Sequence, residues 1–184
     1  MPYKEESKKA RRCAIQYLAY RDRSRSEIFR YLKGKGFSAN AVDETLIFLK
    51  DNDYISDPRF ALQFGRFRIE NKELGKLRLE REFKDKGLEN QIIHEVLSSL
   101  YKEFDEQEIA MTCAKKKLES LSSNDIKKKR GRLAKFLERK GFVSSHVYQV
   151  VTQLIPCVPN NDLGHSLPLT GKRSQRIASS CNQD

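Results

Sequence analysis

Leu32-Lys33-Gly34-Lys35-Gly36-Phe37 returns as Phe83-Lys84-Asp85-Lys86-Gly87-Leu88 and again as Leu137-Glu138-Arg139-Lys140-Gly141-Phe142. Each copy reads apolar residue, two variable positions, Lys-Gly, apolar residue. The copies start at 32, 83 and 137. A phrase that recurs at this spacing is the signature of a repeat architecture, and it decides the fold before any local propensity does. Glycine after a lysine-ended apolar segment reads as the left-handed residue that ends a helix, since a residue without Cβ takes positive φ cheaply. Lys35, Lys86 and Lys140 then sit where the negative end of a helix dipole favours a cation.

The register holds downstream of each glycine. Val42, Leu46 and Leu49 follow the first copy, Ile93, Leu97 and Leu100 the second, and Val147, Val151 and Leu154 the third. Steps of four and three put each set on one face of a helix. Each phrase is therefore a helix end, a tight turn and the start of a further helix.

Upstream of the phrases the pattern is again helical. Ala10, Ala14, Tyr17 and Leu18 share a face over Ser7 to Tyr20, and Ser24-x-x-Glu27 is a capping box ahead of Ile28 and Leu32. Asp57-Pro58 predicts the next helix start, with Asp57 as N-cap and Pro58 tolerated in the first turn. Phe60, Ala61, Phe64 and Phe67 form an aromatic-rich stripe there, read as core together with Phe83. Gly75 precedes a helix with Leu79 and Phe83 inward, and Glu89 to Tyr101 supplies the next. From Asp105 a longer first helix carries Ile109, Ala110, Cys113, Ala114, Leu118 and Leu121. Ser123-Asn124-Asp125 then restarts the chain before Ile126, Leu133, Phe136 and Leu137.

Nine helices in three groups result, with no alternating β-branched pattern to compete. The expected fold is all-α, three tandem three-helix repeats resembling helix-turn-helix units and stacked into an elongated curved rod. The boundaries fall at 1–54, 55–102 and 103–155. Residues 156–184 hold three of the five prolines and no helical period, so they are expected to form a disordered tail.

Charged residues make up 33% of the chain and the net charge is +11. All but one unit of that charge precedes Pro156, so it belongs to the repeats and points to a polyanion or an acidic protein groove as partner. Lys128, Arg132, Lys135 and Arg139, spaced by four, three and four, form a stripe on the helix face opposite Ile126, Leu133 and Leu137. Arg30, Arg81 and Lys135 occupy the same place in each copy, two residues before the apolar position of the phrase. Arg21, Arg23, Arg25, Arg66, Arg68, Lys76 and Arg78 add cationic density around the first two units. The plain alternative is that such runs are solvated faces.

Cys13, Cys113, Cys157 and Cys181 and the three histidines, His94, His146 and His165, are too scattered to chelate a metal locally. No P-loop, HExxH or Gly-rich phosphate turn is present, so no enzyme and no cofactor are expected. No apolar run reaches the about 18 residues a membrane span needs, and the first residues lack a secretory core. A cytoplasmic location follows as the expectation.

Several segments in order resemble the RecX regulators of the RecA recombinase: Ala14-Ile-Gln-Tyr-Leu18, Arg21-Asp-Arg-Ser-Arg-Ser-Glu27, the Leu32 phrase, Tyr54-Ile-Ser-Asp57-x-Arg59-Phe60-Ala61, the helix after Gly75 ending in Lys86-Gly87-Leu88, and Phe136-Leu-x-x-Lys-Gly-Phe142. The resemblance covers residues 10 to 155. It implies three three-helix units lying in the groove of a RecA filament on single-stranded DNA, which modulate, and usually inhibit, strand exchange, coprotease activity and ATP hydrolysis. It also implies direct DNA binding, and the expected partners are single-stranded DNA, with double-stranded DNA a further candidate; the chain is expected to be a monomer. Ser56-Asp57 stands where many relatives carry paired acids. The competing reading is a free-standing basic helix-turn-helix-like DNA-binding protein without a RecA partner.

Overall fold

A computed structural model describes residues 2–122 and 125–156. Among these there are nine helices and no strand: α1 (Pro2–Leu18), α2 (Arg25–Gly34), α3 (Ala39–Asp51), α4 (Asp57–Lys72), α5 (Lys76–Asp85), α6 (Asn90–Glu103), α7 (Glu106–Glu119), α8 (Ile126–Lys140) and α9 (Ser144–Leu154). The predicted tail lies outside the described residues apart from Pro156.

The repeated phrases end the second helix of each group. Gly36, Gly87 and Gly141 have φ of +86°, +71° and +87°, the left-handed conformation that the sequence demanded of them. Ser24 closes the capping box with Glu27 at the start of α2.

Three separate cores result. Ala10, Ala14, Ile28, Leu32, Val42 and Leu49 pack together in α1–α3. Phe60, Ala61, Leu79, Phe83, Leu97 and Leu100 do so in α4–α6, and Ala110, Cys113, Leu133, Leu137, Phe142 and Val150 in α7–α9. The helix pairs that pack extensively all lie within one group, so burial of the apolar faces, the main driving force, is satisfied largely unit by unit, with Phe104 and Ile109 of the third group also packing on the second core.

Several sequence expectations shift. Ser56, not Asp57, is the N-cap of α4, its hydroxyl accepting the Arg59 N–H. Asp57 instead accepts the Arg25 N–H at 2.8 Å, satisfying an orphan amide at the start of α2 in the neighbouring unit. Phe67 is exposed, because α4 turns Gly65 and Ile69 inward. Ile126 is exposed too, since the core contacts of α8 come from Leu133 and Leu137 farther along. The helix α1 begins at Pro2 and ends at Leu18, and α7, at 14 residues, is shorter than α1 and α4 at 17 and 16. Leu154 is half-buried, with Val150 taking the interior position.

The units join through the ends of their second helices. Ser24, the N-cap of α2, donates its hydroxyl to the Lys86 carbonyl at the end of α5. Gly75, the N-cap of α5, donates its N–H to the Lys140 carbonyl at the end of α8, and Leu77 N–H reaches the Gly141 carbonyl, both at 2.9 Å. Thus α8, α5 and α2 meet end to end, with the Gly87 and Gly141 turns seated against the first turn of the preceding unit's second helix. A Cβ on Gly87 would stand 2.3 Å from the Ser26 hydroxyl, and one on Gly141 2.2 Å from the Arg78 Cβ, while Gly36 has nothing within 4 Å.

Candidate nucleic-acid interface

The second helices carry most of the cations that the sequence singled out, and their end-to-end contact fixes where those cations stand. Arg30, Arg81 and Lys135 are all exposed, one in each of α2, α5 and α8. Arg30 donates to the Asp85 carbonyl of the next unit at 3.2 Å. Arg81, Arg132, Lys135 and Arg139 have no ion-pair partner among the described residues, and Lys128 meets only Asp125, at 3.5 Å. The side chain of Lys76 is exposed, and its backbone N–H donates to Glu106.

Other predicted residues are occupied by the fold. Arg21 pairs with Glu27 at 2.9 Å and Arg66 with Glu103 at 2.7 Å. Arg23 lays its guanidinium 4.1 Å from the centre of the Tyr17 ring, which in turn stacks on Tyr31. Arg25 is exposed at the first joint, where Asp57 holds its backbone.

The tertiary structure gathers a cluster that spacing did not show. Arg68, Lys72 and Arg78 from the second unit meet Arg139 and Lys140 from the third around a cleft of about 400 Å³, with Leu74 and Phe136 in its wall. Glu82 is the one carboxylate lining it. Its oxygens accept from Arg68 Nε and Nη2, both at 2.6 Å, and from Arg78 Nε at 3.3 Å. Burial alone would raise the Glu82 carboxyl, but the hydrogen bonds and charge of Arg68, then of Arg78, hold it below the usual carboxylate range. Lys140 Nζ donates to the Lys72 carbonyl at 2.6 Å and stands 5.8 Å from the centre of the Phe136 ring.

Five cations therefore surround one carboxylate that two of them already engage. Such an arrangement concentrates positive potential on an open, solvent-accessible face, where salt screens it. The bidentate pair fixes the guanidinium of Arg68 while leaving N–H groups unspent. Lys72 and Lys140 escaped the sequence reading of the site. Lys140 was visible only as a helix-end cation, and Lys72 carries no local signal.

Elsewhere, no group of three or more His, Cys, Asp or Glu among the described residues is placed to hold a metal ion. Cys13 is half-buried and Cys113 buried, and burial pushes the Cys113 thiol up to about 11. Cys157, Cys181 and His165 lie outside the described residues. No described helix is long and apolar enough to cross a membrane.

Family models described as the first and third three-helix domains of RecX match residues 10–49 and 105–151. A regulatory protein RecX from Chlorobium phaeobacteroides is 35% identical over 149 residues, covering 81% of this chain and 95% of that protein. One from Bacillus licheniformis is also 35% identical, over 140 residues, 76% of this chain and 53% of its own length. The chain thus spans about half of the longer relative and nearly all of the shorter. The crystal structure of RecX from Lactobacillus salivarius superposes with a TM-score of 0.73 at 23% identity, covering 82% of this chain and 97% of that one, a likeness of fold.

Proposed function

This chain belongs to the RecX family of regulatory proteins, and from that membership we propose that it binds the RecA filament on single-stranded DNA, in its groove, and inhibits the recombinase, coprotease and ATPase activities of that filament. The observation that carries the reading is the row of second helices with cations unpaired among the described residues, Arg81, Arg132, Lys135 and Arg139, leading into the five-cation cleft. A polyanion is the partner such a row fits.

The function asks for no active site. Three units, 1–54, 55–102 and 103–155, each contribute weak contacts to neighbouring filament subunits and to DNA phosphates, and their linkage turns weak contacts into tight binding through effective concentration. The protein acts as a monomer in the cytoplasm, without a cofactor, and the segment 156–184 is dispensable for modulation.

The test is RecA-dependent ATP turnover on single-stranded DNA, titrated with this protein. The expected result is a saturable fall in turnover. Unchanged turnover, with sequence-selective binding to duplex DNA in place of it, would support a free-standing DNA-binding protein and overturn the filament reading.

A further inference from the structure

We propose that the cleft between α5 and α8 is a phosphodiester-binding site for single-stranded nucleic acid, and that its occupation locks the joint between the second and third units. The site refines the DNA contact proposed above and rests on that reading.

Both walls contribute. Arg68 and Arg78 belong to the second unit and share Glu82, so their guanidinium groups are positioned before any ligand arrives, each with donors to spare. Arg139 and Lys140 belong to the third unit. Lys72 and Arg139 are exposed, and no carboxylate among the described residues pairs with either. Glu82 offsets one of the five charges, and an anion touching both walls relieves the repulsion that remains across the joint.

Volume and continuity select the class of anion. About 400 Å³ exceeds what a bare ion needs and suits a nucleotide-sized group. From Arg139 the unpartnered cations continue along α8 at Lys135 and Arg132, at helical rises of about 6 and 4.5 Å. A flexible single strand can enter a recess and then follow that row, whereas a duplex carries its phosphates on a stiff cylinder that stays outside.

The joint is built for coupling. Its polar ties are the amides of Gly75 and Leu77 to the carbonyls of Lys140 and Gly141, Lys76 N–H to Glu106, Lys116 and Cys113 to Glu73, and Lys140 to the Lys72 carbonyl, with Phe104 and Ile109 packed on the second core beside them. No extensive helix packing crosses it. A ligand that binds only the closed joint stabilises that state by mass action.

The experiment uses the whole chain without RecA and a fluorescent oligothymidylate as probe. Lys72→Gln with Arg139→Gln should weaken binding roughly tenfold or more and reduce the salt slope by about 1.4, the value for two lost contacts on a single strand. Lys33→Gln with Lys50→Gln, exposed cations of the first unit, removes the same charge far from the cleft and should do much less. Hydrogen exchange gives the second readout: saturating oligonucleotide should protect the amides of Gly75 and Leu77 in the parent but not in the cleft variant. Equal losses in the two double variants, unchanged exchange at Gly75 and Leu77, tighter binding of duplex, or protection by an acidic peptide in place of the oligonucleotide would each overturn the proposal. A parent that fails to lower RecA turnover, yet shows both cleft effects, would sink the filament reading and leave the site standing.

Discussion

Gly75 and Gly141 touch backbone to backbone: a Cβ built on Gly75 would stand 2.4 Å from the carbonyl carbon and oxygen of Gly141. Gly75 has φ of −79° and ψ of 164°, which any residue adopts, so its own backbone gives no reason for glycine. The reason lies in the neighbouring unit. Gly75→Ala should force the joint open, strain or break the two 2.9 Å hydrogen bonds from Gly75 and Leu77, and cost about 1–3 kcal/mol. In an array whose cooperativity rests on its interfaces, urea unfolding should also lose sharpness. A variant with the parent's midpoint and slope would show that the joint does not hold the units together.

Gly65 makes the same argument inside one unit. Alanine is the better helix former by about 1 kcal/mol, yet a Cβ there would meet Leu100 Cδ1 at 2.4 Å and Phe83 Cζ at 3.1 Å. Overpacking should win, leaving Gly65→Ala destabilised by about 1–2 kcal/mol in urea. Combined with Leu100→Ala, the same change should become neutral or better, and a double-mutant cycle measures the coupling.

Glu27 predicts a pH dependence. Burial alone would raise its carboxyl, but hydrogen bonds from Arg21 and Lys86, then from the Ser24 N–H, hold it down to about 2. A carboxyl depressed in the folded state contributes stability above its unfolded value near 4.5, and that contribution fades as pH falls toward 2. Allowing for the half-exposed Arg21, Glu27→Gln should cost on the order of 2 kcal/mol above pH 5. The gap from the parent in urea melts should shrink steadily below that pH. A gap that is constant from pH 7 to pH 3 would mean that the charge of Glu27 does not stabilise the fold.

Reversing Lys128, Arg132, Lys135 and Arg139 to glutamate tests the stripe. All four are exposed, so helicity should be retained, with stability changes of about 0.5 kcal/mol per site. Binding to DNA and inhibition of RecA-dependent ATP turnover should both weaken, with a flatter salt slope. A quadruple variant that keeps parental slope and inhibition would reduce the stripe to a solvated face and direct attention to Arg21–Arg30 and Arg66–Arg81.

The three-helix repeat was legible in the chain of residues, because periodicity and the Lys-Gly turns are local: an apolar face recurs every three or four residues, and a left-handed turn admits glycine at little cost. So was the shared face of Lys128, Arg132, Lys135 and Arg139, since all four ride on one helix. The sequence misassigned Asp57, whose carboxylate caps α2 across the joint, and Phe67, whose place on the stripe is lost once Gly65 and Ile69 turn inward. Only the tertiary structure brought Arg68, Lys72 and Arg78 to Arg139 and Lys140, residues about 60 to 70 positions apart. That meeting depends on how one unit docks on the next, which is set by backbone contacts such as Gly75 to Lys140 that leave no periodic trace in the side chains.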